Sequence, residues 1–116
     1  MRDALIIEEL EIWPEDLGKM TWDEATAEVA KLGPGWRLPT IEEFREVLYP
    51  NREKLFGKTI SFAYYWSSTE RDANIAWFFN VYNGNAHDYF KLTTSYVRAV
   101  RDITGEIAIG LLLKNF

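Results

Sequence analysis

Apolar and polar residues alternate from Ala76 to Tyr82 and from Asn85 to Phe90, and Asn83-Gly84 separates the two runs. Alternation with period two is a strand signal. Asn-Gly between two such runs is the strongest local sign of a β-hairpin, because a two-residue type I′ turn needs positive φ at both central residues. A turn of that kind pairs Tyr82 with Asn85, Val81 with Ala86, Asn80 with His87, Phe79 with Asp88, Phe78 with Tyr89 and Trp77 with Phe90. The pleat then sends Trp77, Phe79, Val81, Ala86 and Phe90 to a core face, with Asp88 the misfit. Phe78, Asn80, Tyr82, Asn85, His87 and Tyr89 share the opposite, polar-aromatic face, which is either solvated or packed on a partner.

The pattern elsewhere changes period. Ala4 to Trp13 reads as a first strand, ended by Pro14. Thr21-Trp22-Asp23-Glu24 is a capping box, followed by Trp22, Ala25, Val29 and Leu32 at helical spacing and stopped by Gly33-Pro34. A second capping box, Thr40-Ile41-Glu42-Glu43, opens a helix with an Ile41, Phe44, Val47, Leu48 stripe, which Pro50 ends. Beyond it the pattern is strand and loop: a short strand around Tyr64 to Ser67, a polar loop from Glu70 to Asn74, the hairpin, and a strand from Tyr96 to Arg101. A last strand alternates Ile107, Ile109, Leu111 and Leu113. Helices early and strands late predict a single α+β domain over residues 1–116.

Length allows one core, and a hydrophobic content of 47% with 16% aromatic residues describes a folded protein. Five Trp, six Tyr and seven Phe imply a core of few, large side chains or an aromatic binding surface. The net charge of −5 argues against nucleic acid as the main partner. Without cysteine there is no disulfide, thiolate nucleophile or thiolate metal site. The longest apolar run, Ile107 to Leu113, is far short of a membrane span, so no membrane insertion is expected. No signal peptide is read at Met1-Arg2-Asp3. As it stands the protein is expected in the cytoplasm, or at the cell surface if a leader has been removed.

Candidate chemistry is sparse. His87 is the single histidine, and zinc needs about four ligands. Ser67 or Ser68 with His87 lacks the nucleophile elbow of a hydrolase, and the serines are expected to bond backbone in a loop. Glu70, Asp72, Asn74 and Asn85 could donate oxygens to calcium, against the simpler reading of a solvated loop. Trp36, Trp66, Trp77 and Val97 are assigned to the core. Arg37, Arg98 and Arg101 are read as structural guanidinium groups bonding carbonyls or carboxylates. No catalytic residue, metal ligand or cofactor site is assigned.

Gly35-Trp36-Arg37-Leu38-Pro39-Thr40, Glu42-Glu43-Phe44, Tyr65-Trp66-Ser67-Ser68-Thr69, Ala76-Trp77 and Tyr96-Val97-Arg98-Ala99-Val100-Arg101 occur in that order. The set resembles the bacterial domain family typified by the C-terminal domain of the collagen-like adhesin Lcl. The resemblance covers roughly Met20 to Arg101. It implies a C-type-lectin-like fold: two helices on a twisted antiparallel sheet, related to formylglycine-generating enzymes and to retroelement-diversified variable proteins. It also implies that the two termini pair, here Ala4–Trp13 with Glu106–Leu113. Calcium-dependent lectins of that fold carry Glu-Pro-Asn or Gln-Pro-Asp and a Trp-Asn-Asp motif; this sequence offers only Tyr49-Pro50-Asn51. It also lacks the cysteines of the enzymes and the basic charge that suits the adhesins' sulfated glycans.

The expectation is therefore a non-catalytic binding module. Its ligand is a protein or glycan surface, met by Phe78, Asn80, Tyr82, Asn85, His87 and Tyr89. The alternative is an assembly role, with that face and the C-terminal strand forming a homodimer interface.

Overall fold

Strand β4 (Tyr64–Glu70) lies at the centre of the structure because both of its faces are apolar, and each face meets a different helical layer. In the computed structural model, residues 4–57 and 63–103 are described. Before β4 come β1 (Leu5–Ile7), β2 (Leu10–Ile12), β3 (Lys19–Met20), α1 (Trp22–Ala30), α2 (Ile41–Glu43) and α3 (Arg52–Phe56). After it come β5 (Ile75–Asn80), β6 (Ala86–Phe90), β7 (Ser95–Tyr96) and β8 (Val100–Asp102). Five strands form one sheet in the order β3-β7-β4-β5-β6, and three form another in the order β1-β2-β8. All pairings are antiparallel except β4 with β7, which meet in parallel at Tyr65 and Tyr96. The architecture is α+β.

Alternation along β4 and β5 divides the core in two. Tyr65 and Phe79, paired across the strands, pack with Phe44, Leu48 and Leu55 from the helical run that starts at α2. Trp66 and Phe78, the next pair, pack with Ala25 and Val29 of α1 and with Trp36, Val97 and Ala99. Both capping boxes form as their sequences require: Thr21 with Glu24, and Thr40 with Glu43.

Four elements depart from the sequence reading. Ala4 to Trp13 is not one strand but a tight hairpin, Ile7 opposite Leu10, with Glu8 at φ +58. A glutamate in the left-handed region carries none of the Gly or Asn signal that marks such turns. The second helix does not end at Pro50. A π-helical turn over Phe44–Leu48 and a 3-10 turn over Tyr49–Asn51 lead directly into α3. Proline sits in the first turn of the 3-10 segment, where its missing N–H costs nothing.

The expected strand Tyr96 to Arg101 is split between the two sheets. Between β7 and β8, Val97 and Ala99 accept hydrogen bonds from Leu17 and Trp13, so this stretch crosses from one sheet to the other. Ser67 lies in β4, not in a loop. Its hydroxyl donates to Trp77 O at 2.6 Å beside a register shift between Trp66 and Glu70. On the side away from β1, β2 pairs with β8. The expected strand Glu106–Leu113 and its pairing with Ala4–Trp13 lie outside the described residues.

Candidate recognition surface

Asn80 and Asn85 close the β5–β6 hairpin. Asn80 N donates to Asn85 O at 2.8 Å, and Gly84 N donates to Asn80 O at 2.9 Å. Phe79 pairs with Ala86, Phe78 with His87, Trp77 with Asp88, Ala76 with Tyr89 and Ile75 with Phe90. The register is two residues away from the one a type I′ turn at Asn83-Gly84 dictates. A slide of two preserves the parity of the pleat, so the two sets of side chains keep their faces.

The reason for the longer loop is Asn80. Its Oδ1 accepts from Tyr82 N at 2.8 Å and Asn83 N at 3.1 Å, and Asn83 Oδ1 accepts from Asn85 N at 2.9 Å. Side-chain bonds to backbone of this sort compete with the ladder and nucleate turns. Val81 leaves the ladder, turns into the core at 3% exposure and donates its N–H to Ala63 O. Gly84 takes φ +80, the left-handed value a loop of this kind needs at one position.

The six predicted surface residues separate accordingly. Tyr82, Asn85, His87 and Tyr89 are exposed, while Phe78 and Asn80 are buried. Asn80 is thus a loop organiser rather than a contact residue. Phe78 is a floor: its ring stacks on Tyr64 with centroids 4.5 Å apart and on Tyr89 at 5.7 Å. His87 meets Tyr64 edge-on at 6.0 Å. On the other face Phe79 and Val81 are buried and Trp77 is half-buried, as expected. Phe90 is not core: it is 62% exposed, since β6 is the edge of the sheet and the Phe44 cluster does not extend beneath it. Asp88, the misfit, pairs with Arg71.

The row of rings borders a shallow cleft of about 250 Å³. Tyr64, Phe78 and Tyr89 line one side of it, and Lys19 of β3, Tyr96 of β7 and Thr93, Thr94 and Ser95 line the rest. The Lys19 ammonium lies 5.2 Å from the Tyr96 ring centroid. Sequence reasoning missed this half of the surface, because two-residue strands give no periodicity to read. A signal did exist for Tyr64, since Tyr64 and Trp66 alternate with the buried Tyr65.

The remaining candidates serve the scaffold. Arg37 makes two bonds to Glu43, at 2.7 and 2.8 Å, and a third to Asp102 at 2.9 Å; these bonds raise its affinity for its proton against the opposing effect of burial. Arg98, 4% exposed, bonds Asp16 and Leu55 O and lies over the Phe56 ring. Tyr65 donates to the same Asp16 at 2.6 Å; burial first, and that bond second, push its phenol well above the usual tyrosine range. Arg101 bonds Glu11 and covers Trp36.

In the loop considered for calcium, Glu70 pairs with Lys91 and Asp72 accepts from Asn74 N and Ile75 N. Among the described residues no cluster of three or more His, Cys, Asp or Glu is placed to hold a metal ion. Among the same residues no helix is long and apolar enough to cross a membrane.

Over residues 6–101 the sequence matches the Lcl C-terminal domain family. This protein belongs to that family. No curated protein matches it. The matched range takes in the hairpin, its loop, β3 and β7, together with Arg37, Arg98 and Arg101.

Proposed function

We propose that this Lcl C-terminal domain is a non-catalytic binding module that recognises a protein or glycan surface. Contact is made through Tyr82, Asn85, His87 and Tyr89 of the hairpin, with the cleft beside Tyr64 and Tyr96 as the adjoining pocket. The observation that carries this reading is the row Tyr64, Phe78, Tyr89, in which each ring stacks on the next and the outermost is half exposed. Stacked rings lose little freedom on binding, and their faces suit the apolar side of a sugar or a peptide side chain. Asn85 on the hairpin and Thr93 and Thr94 at the cleft supply short hydrogen-bonding groups around them. The lectin-like relationship implied by the sequence motifs is part of the same proposal.

A glycan and protein array identifies the ligand class. Tyr82→Ala combined with Tyr89→Ala then removes two exposed rings and leaves the buried floor intact. Each ring truncated at the centre of an interface costs about 2 kcal/mol, roughly thirtyfold in Kd. Binding that survives both changes in a folded protein rules this face out.

A second reading is supported by Tyr89, Phe90 and Leu92, which are 50%, 62% and 87% exposed along and just beyond an edge strand. Exposed apolar groups on a strand that is an edge among the described residues suit strand pairing between protomers. Light scattering separates the two: a dimer broken by Phe90→Lys favours assembly, and a monomer leaves the face free for ligand.

A further inference from the structure

Asn83 is exposed and is followed by Gly84, whose lack of a side chain leaves its backbone nitrogen unhindered as a nucleophile. We propose that Asn83-Gly84 is a site of spontaneous backbone modification that the fold holds closed, and that Asn80 is the residue that closes it. In the reaction, Gly84 N gives its proton to water and attacks Asn83 Cγ. A new N–Cγ bond closes a five-membered imide, the Asn83 Cγ–Nδ2 bond breaks, and that nitrogen leaves as ammonia after taking up a proton. Solvent water then opens the ring at either carbonyl, giving aspartate or isoaspartate. No oxidant or reductant takes part.

Three contacts oppose the first step. The attacking nitrogen is engaged, because Gly84 N–H donates to Asn80 O at 2.9 Å. The carboxamide under attack is tethered by Asn85 N–H on its Oδ1 at 2.9 Å, a contact that opposes the step by fixing the side chain's orientation, since a donor on that oxygen by itself makes Cγ more electrophilic. Asn83 N–H is fixed by Asn80 Oδ1 at 3.1 Å. Asn80 thus secures residues 83 and 84 with its side chain and its carbonyl, and it is itself only 2% exposed. Reaction requires the loop to open, releasing the Gly84 amide and letting the Asn83 backbone rotate. The rate of conversion therefore reports the open population of the loop.

Conversion works in one direction. Isoaspartate inserts a methylene into the backbone and adds a carboxylate at the hairpin tip. The tip is closely packed next to the inserted methylene: even a β-carbon on Gly84 would stand 2.9 Å from Tyr49 Cζ.

The test is incubation of the folded protein at mildly alkaline pH beside the same protein in urea, followed by mass, peptide mapping and isoaspartate detection. Folded Asn83 converts at least about tenfold more slowly than unfolded Asn83, the ratio set by the opening equilibrium. Asn80→Ala, checked for folding by circular dichroism, brings the folded rate towards the unfolded one. Equal rates for folded and unfolded wild type overturn the proposal, as does a folded Asn80→Ala variant that converts no faster than wild type. If Asn80→Ala does not fold, hydrogen exchange at Gly84 N–H in the wild type decides: protection supports the closed loop, and free exchange overturns it.

Discussion

The ring of Tyr49 lies directly against Gly84: a β-carbon placed on the glycine would be 2.9 Å from Tyr49 Cζ and 3.2 Å from its hydroxyl oxygen. Tyr49 also meets Phe79 edge-on at 5.7 Å and carries the Arg52 guanidinium 4.3 Å above it. One residue from the turn after the π-helical segment thus joins the hairpin tip to the core. The tip is placed from two directions, by Asn80 from within β5 and by Tyr49 from the helical side.

Gly84→Ala combines two penalties, a non-glycine residue at φ +80 and a clash with an aromatic ring. Together they cost about 2–3 kcal/mol. In a Tyr49→Ala background the clash disappears and only the backbone strain of about 1 kcal/mol remains. Denaturant unfolding of the four proteins of this double-mutant cycle measures the difference. Equal costs in both backgrounds would show that the ring does not constrain the loop.

How far the sequence could be read follows from the range of the interactions involved. Both capping boxes are local, and both helices start where Thr21 and Thr40 say they do. The sorting of β5 side chains depends on period two alone, so it survives a different turn. The turn itself is decided by competition. Asn83-Gly84 favours a two-residue reversal, but Asn80 bonds two loop N–H groups and Val81 gains burial against the core, and those gains depend on tertiary context. The cleft is hidden for a similar reason, since Lys19 and Tyr96 reach it on strands of two residues each. The burial of Phe78 is not legible because α1 and its neighbours cover the inner part of a face that looks solvent-ready in isolation.

Glu11 is 5% exposed in β2, and its partner Arg101 stands opposite it in β8, bonding through Nε at 2.8 Å and through Nη2. Arg101 also covers the Trp36 ring at 4.7 Å. Arg101→Leu leaves a buried carboxylate without its cation and destabilises the fold by about 3–5 kcal/mol. Replacing both residues with leucine recovers much of that loss, because the desolvation of the charge is removed with it. Thermal and chemical unfolding of the single and double variants check the order: wild type close to the double variant, both well above Arg101→Leu.

Glu43 makes stability depend on acid. Burial works against its charge, but hydrogen bonds from Arg37 and from Thr40, with the Arg37 charge, outweigh burial and hold the carboxyl below its ordinary value of 4.5. The folded protein therefore binds this proton more weakly than the unfolded one does. The stability Glu43 contributes is complete above the unfolded carboxyl's range and is lost as pH falls through the lower, folded value. Glu43→Gln isolates this effect, because glutamine keeps the capping-box bond to Thr40 while giving up the charge facing Arg37. At neutral pH the variant is less stable by about 1–2 kcal/mol, the worth of a charge-assisted pair on a partly exposed site. The gap narrows as the pH falls below 4.5 and closes once wild-type Glu43 is protonated. Urea unfolding of both proteins across that interval checks the prediction; a gap that stays constant into acid would mean that Glu43 acts through packing and not through its charge.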